Sequence, residues 1–194
     1  MSISDDSRTR EKIMQAAVAL FSEEGYDRVS INRIAEKAGV SKGGIFHHFE
    51  SKYILARDCL IWWAYENMSP DFHTDDPEYP PERILTDFID FMMGFLSGNG
   101  QFTRFFWSVF DESIRNNEDT SVWIDFLNEY VTAVEGIYKR MGARDPRMKA
   151  MLFLSNLDGM ALYHNLIRES DMDFDIDDLR EEFVRTYVNF REGE

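Results

Sequence analysis

Three serines, Ser30, Ser41 and Ser51, each stand directly before a segment with apolar residues at helical spacing, and Gly25 and Gly39 close the segments ahead of the first two. A serine in that position accepts a hydrogen bond from a backbone N–H that the helix leaves unpaired, and a glycine after a helix supplies the left-handed residue that ends it. Starts and stops this closely spaced allow only short helices meeting at tight joints. The segment in front, from about Arg8 to Glu24, carries Ile13, Ala16, Ala17, Leu20 and Phe21 at helical spacing and predicts an amphipathic first helix. The second helix turns Ile31, Ile34, Ala35 and Ala38 inward. A third runs from Ser41 to about His48, and a fourth from Lys52 toward Ser69.

Residues 34–52 read IAEKAGVSKGGIFHHFESK. In a helix-turn-helix the first helix braces and the second lies in the DNA major groove, its N-terminal residues near the base edges. The joint has the residues it needs: Ala35 is small enough for close approach, Gly39 can take positive φ, and Val40 is an apolar plug. Ser41, Lys42, His47 and Lys52 then fall together as candidate contacts, and the backbone N–H groups at the helix start suit phosphate. Gly43 and Gly44 weaken the helix but leave its leading surface bare for sugars or thymine methyls. An ordinary helical hairpin with a solvated face would use the same residues, so the pattern leaves both readings open.

Net charge is -15, and its placement matters more than its size. Residues 1–58 hold nine basic and nine acidic side chains, whereas residues 59–194 hold 12 basic and 27 acidic. The negative excess lies beyond the candidate DNA module, where it would suppress indiscriminate binding if held away from phosphate. With 44% hydrophobic residues the chain has enough apolar surface for a core. No run of about 18 apolar residues and no secretory signal occurs, which predicts a cytoplasmic protein without membrane insertion. The single cysteine, Cys59, excludes an intrachain disulfide and reads as a buried helix residue.

Beyond Met68 the stretch SPDFHTDDPEYPP, with four prolines and four acidic residues, predicts a loop. Pro81 opens a helix through Phe95, which SGNG at 97–100 breaks; another spans about Gln101 to Arg115. Further helices are expected from Ser121 to about Met141, from Pro146 to about Glu169, and from about Asp177 to Phe190. The fold class is therefore all-α.

The run from Arg10 to Leu55 resembles the tetracycline-repressor (TetR) family of transcriptional regulators. The likeness is carried by Leu20, Phe21, Gly25 and Tyr26, by Ser30 at the next helix start, and by the ordered run ending in His48, Phe49 and Lys52. The resemblance implies a three-helix DNA-binding module over 1–51 and a larger helical ligand-binding and dimerisation domain over 52–194. It implies groove-facing residues at Ser41, Lys42, Gly43, Gly44 and His47, a phosphate contact at Lys52, and Ser30 and Arg33 on the flank. Phe46 departs from the family, which commonly has Tyr there; Phe keeps the packing but lacks the hydroxyl that reaches phosphate. His48 is expected to pack inside the module. The implied activity is that of a homodimeric repressor released from a palindromic double-stranded operator by a small molecule.

Aromatic residues concentrate in the larger region. Trp62, Phe88, Phe91, Phe106, Trp107 and Phe110 are candidates to line a pocket for a hydrophobic or cationic ligand, though each could equally fill a core. Asp158, in the nearly uncharged run LSNLDGMALYHNL, is the carboxylate to match a cation or to sit at a dimer seam beside Gly159 and Ala161. Phe126, Leu127, Tyr130, Val134, Leu154, Leu157 and Leu162 are the apolar candidates for that seam. Neither a catalytic motif, a cofactor-binding loop nor metal-ligand spacing is visible, so an enzyme is not expected. The competing reading is a helical ligand-binding or interaction protein with a vestigial DNA module.

Overall fold

The computed structural model describes residues 5–67, 76–98, 100–115, 120–167 and 175–190, and every regular element among them is helical. The chain packs as two compact units: Met1–Ser69 with Gln101–Thr120, and Pro70–Gly100 with Ser121–Glu194.

In the first unit, helices α1 (Asp5–Glu24), α2 (Ile31–Ala38), α3 (Lys42–His48) and α4 (Lys52–Asn67) are joined by a 3-10 turn at Tyr26–Arg28 and by tight connections. The serine caps form as their positions predict. Ser30 Oγ accepts the Arg33 N–H, Ser41 Oγ the Gly44 N–H at 3.0 Å, and Ser51 Oγ the Ile54 N–H at 3.1 Å. Gly39 takes φ 67°, and the Val40 N–H returns to the Ala35 carbonyl at 3.0 Å, closing α2 with the left-handed ending that glycine favours. Ile13, Ala17, Phe21, Ile34, Ile45, Phe49, Leu55 and Cys59 are sealed in the core. The Cys59 thiol faces the Met14 carbonyl, and burial pushes it well above its ordinary pKa.

Helix α6 (Gly100–Arg115) packs with this unit. Its Phe105 ring lies 4.9 Å from Phe21, and Phe102 lies 3.9 Å from Trp63. The Tyr26 hydroxyl donates to Glu112 on the same helix, and burial together with that carboxylate pushes the phenol well above its ordinary range.

The second unit contains α5 (Pro81–Gly98), α7 (Ser121–Arg140), α8 (Pro146–Ile167) and α9 (Ile176–Phe183). Its core is built from Ile84, Leu85, Phe88 and Ile89 of α5 with Tyr138 of α7 and Phe153 and Leu157 of α8. The predicted last helix gives way to a π-helical turn at Val184–Val188, closed by the Asn189 N–H on the Val184 carbonyl at 2.9 Å. That turn places the Tyr187 carbonyl 3.1 Å from the Tyr138 hydroxyl, which donates to it. Two of the expected seam residues, Val134 and Leu157, are buried within the unit instead. Among the described residues, the large apolar side chains exposed on α7 and α8 are Ile124, Leu127, Met148, Met151, Leu152 and Tyr163. The expected loop at 69–81 lies largely outside the described residues, as does the Leu162 side chain.

Candidate nucleic-acid interface

Helix α3 is short, glycine-bearing and held almost wholly from behind. Ile45 is fully buried beneath it and Phe49 follows as a buried plug, so its remaining face is left outward. Ser41, Lys42, Gly43, Phe46 and His47 are all exposed on that face, and Gly44 is half-buried. A Cβ added at Gly43 would meet only Ser41 Oγ, at 3.8 Å; nothing within the chain requires glycine there.

Phe46 differs from the expectation that it packs. It is 45% exposed, and its ring is approached by Lys42 Nζ at 5.9 Å from one turn earlier. Helix phase explains the difference: Ile45 and Phe49 occupy the inward positions, leaving position 46 outside. His47 is exposed, whereas the His48 side chain is only 8% exposed and packs beside Phe49; both imidazole Nε2 atoms lie just under 4 Å from Asp6 Oδ1.

Two basic candidates are not held as simple solvated charges. Lys52 Nζ sits 4.2 Å over the Tyr26 ring; burial lowers its pKa, against the Asp27 and Glu112 carboxylates, which raise it. Arg33 Nη2 is 2.8 Å from Glu24 Oε1 on α1. Neither Glu24 nor Glu112 is apparent from the motif, because each acts through a partner on another helix. Arg10, which the motif does not single out, is a further organiser: it pairs with Asp58 at 2.8 Å and lies over the Phe49 ring at 5.0 Å, tying α1 to α4 behind α3.

The candidate ligand residues are distributed between the units. In the first, Trp62 is half-buried on α4, and Phe106, Trp107 and Phe110 form one aromatic cluster on α6, with Phe106 stacked on Phe110 at 6.2 Å. The Trp107 indole nitrogen is buried without a hydrogen-bond acceptor among the described residues. In the second, Phe88 is a core residue 5.8 Å from Phe153, and Phe91 stacks on Phe95. Asp158 is exposed on α8 as a residue, yet desolvation of its carboxyl pushes the pKa up to about 6. Asp87 and Asp90, a spacing that can imitate acid–base pairs, are taken by Arg83 and Arg180.

Residues 13–59 match the family described as bacterial regulatory proteins, tetR family. A helix-turn-helix transcriptional regulator of Staphylococcus aureus (strain USA300) is 32% identical over 91 residues, covering 44% of this chain and 48% of that protein. The chain thus matches about half the length of such relatives. Among solved structures, a transcriptional regulator from Rhodococcus sp. Rha1 superposes with a TM-score of 0.75 at 16% identity, over 93% of this chain and 96% of the other. A regulator from Saccharomonospora viridis, solved in complex with choline, superposes with a TM-score of 0.72 at 18% identity, over 91% and 94%. These two share the fold. Residues 13–59 thus form a module of the tetR family of bacterial regulatory proteins, built here with α3 exposed, and the chain as a whole has an all-helical fold.

Proposed function

We propose that the protein is a DNA-binding transcriptional repressor acting in the cytoplasm as a homodimer, each copy laying α3 in the major groove of one half of a palindromic operator. The observation that carries this reading is the exposed face of α3. A lysine, a bare glycine, a histidine and an unshielded phenylalanine share it although folding requires none of them outside. Ser41 and the first N–H groups would meet phosphate, Lys42 and His47 the base edges, and Gly43 and Gly44 would allow close approach, with Ser30, Arg33 and Lys52 at the flanks. Phe46 supplies apolar surface for a thymine methyl in place of the phosphate bond that tyrosine would make. Selection of duplexes from a random pool by the purified chain should enrich a two-fold-symmetric sequence with half-sites about one helical turn apart or a multiple of it. Failure to enrich any duplex at low salt would favour the interaction-protein alternative.

Release would come from a small apolar ligand that engages the aromatic residues of α4 and α6 within the first unit and offers an acceptor to the Trp107 N–H, which has none among the described residues. Pairing would use the outward apolar residues of α7 and α8. The exposure of Asp158, two turns along α8 from exposed Met151, favours its place at that seam over a place against a cationic ligand.

The pH dependence follows from its raised pKa. Below about pH 6 the carboxyl is protonated and pairing is unopposed; above it, an ionised group must lose water at the seam. Dimer dissociation followed by sedimentation should therefore become several-fold easier as pH rises through about 6, and Asp158→Asn should remove that dependence. Unchanged dimerisation together with weakened binding of tetraphenylphosphonium would instead assign Asp158 to a cation pocket.

A further inference from the structure

Helix α1 ends in an unusual way. Its last two residues are Glu23 and Glu24, and no basic residue lies in its last turn, although a helix C-terminus carries partial negative charge and favours cations. Asp6, in the first turn of the same helix, is by contrast where the dipole favours an acid. The two glutamates therefore stand against local preference, and each faces a cation of α2. Glu24 Oε1 is 2.8 Å from Arg33 Nη2, and Glu23 Oε2 is 4.0 Å from Lys37 Nζ. The Arg33 side chain is 57% exposed, so the pair lies within reach of an approaching phosphate. Lys42, on the reading face of α3, has no carboxylate partner among the described residues; its neighbour is the Phe46 ring.

Resting on the reading of the chain as a DNA-binding regulator, we propose that Glu24, assisted by Glu23, is a specificity-determining residue that occupies Arg33 until a matched duplex displaces it. A carboxylate and a phosphate offer guanidinium the same paired oxygen geometry, so only one of them holds it well at a time. On random DNA, held loosely by charge, Arg33 keeps Glu24 and contributes little. On a matched site, base contacts from α3 fix the register and bring a backbone phosphate close enough to take Arg33 over. The cost of breaking the ion pair thus falls mainly on the wrong duplexes.

The test compares the wild-type chain with Glu24→Gln on its selected duplex and on a scrambled duplex of equal length, over a range of salt. Glu24→Gln should bind the scrambled duplex about three- to fivefold more tightly, with a smaller change on the selected one, so that the specificity ratio falls. The slope of log affinity against log salt on the scrambled duplex should steepen by about 0.9, the signature of one added phosphate contact. Arg33→Ala in the same background should abolish the gain, an outcome that a general loss of folding would not produce. Asp178→Asn, which removes an exposed acid on α9, controls for net charge. An equal gain from that variant, or equal gains on both duplexes, or no gain from Glu24→Gln, would overturn the assignment of Glu24 while leaving DNA binding intact. Absence of binding to any duplex by the wild-type protein would instead remove the regulator reading, and this inference with it.

Discussion

Phe21→Ala should cost the protein about 3–5 kcal/mol, a large part of the roughly 5–15 kcal/mol that stabilises a typical domain. The Phe21 side chain is fully buried, and its ring is packed 4.9 Å from Phe105 and 5.4 Å from Tyr26. Truncation would leave a cavity bounded by two rings of fixed position, since Tyr26 is also anchored through its hydroxyl to Glu112. Neither neighbour can collapse into the gap without breaking another contact, which places the cost toward the upper end of that range. Because Phe105 belongs to α6, the damage should reach beyond the three short helices. Urea unfolding should show a lower midpoint, and the Phe105 side of the first unit should lose amide-exchange protection along with α1. A loss below about 1 kcal/mol would mean that the site relaxes, and that α6 is not a structural part of this unit.

The helix starts and stops of the first unit were legible because their causes are local. Ser30, Ser41 and Ser51 accept their cap hydrogen bonds within three residues, and the left-handed turn at Gly39 depends on its immediate surroundings. Pro81 and Pro146 open their helices for the same kind of reason. The partnership of α6 with α1 was not legible, since the Phe21–Phe105 contact joins positions far apart in the chain and an aromatic at helical spacing does not declare its partner. Pattern also misjudged Phe46, whose exposure depends on which of two adjacent apolar residues the helix phase turns inward, and Ile45 took that place. At the seam, Val134 and Leu157 satisfied an apolar pattern that fits an intrachain core as well as a dimer. The pairing of Arg33 with Glu24 left one visible trace: an acidic pair at a helix end whose dipole disfavours it.

Lys42→Ala should weaken binding to the selected duplex by about 10- to 100-fold, the range for a lost base contact, whereas Lys52→Ala should weaken it several-fold at most. Counting charges in the motif would rank the two alike; their surroundings do not. Lys42 is exposed on the first turn of α3, with only the face of Phe46 near its ammonium, so it can follow a base edge or phosphate at little cost. Lys52 is half-buried over Tyr26, within the fields of Asp27 and Glu112, and reaching DNA means giving up part of that attraction. Salt titration separates position from charge. A lysine that neutralises phosphate reduces the log–log slope by about 0.9 when removed, while one that reads a base edge changes affinity and sequence preference with less effect on the slope. Lys42→Ala should relax preference at the outer base pairs of each half-site, and Lys52→Ala should leave preference intact and reduce the slope by less than a full contact. Equal losses from the two substitutions, with equal slopes, would mean that Lys52 leaves Tyr26 freely on binding and that the reading face extends across the start of α4.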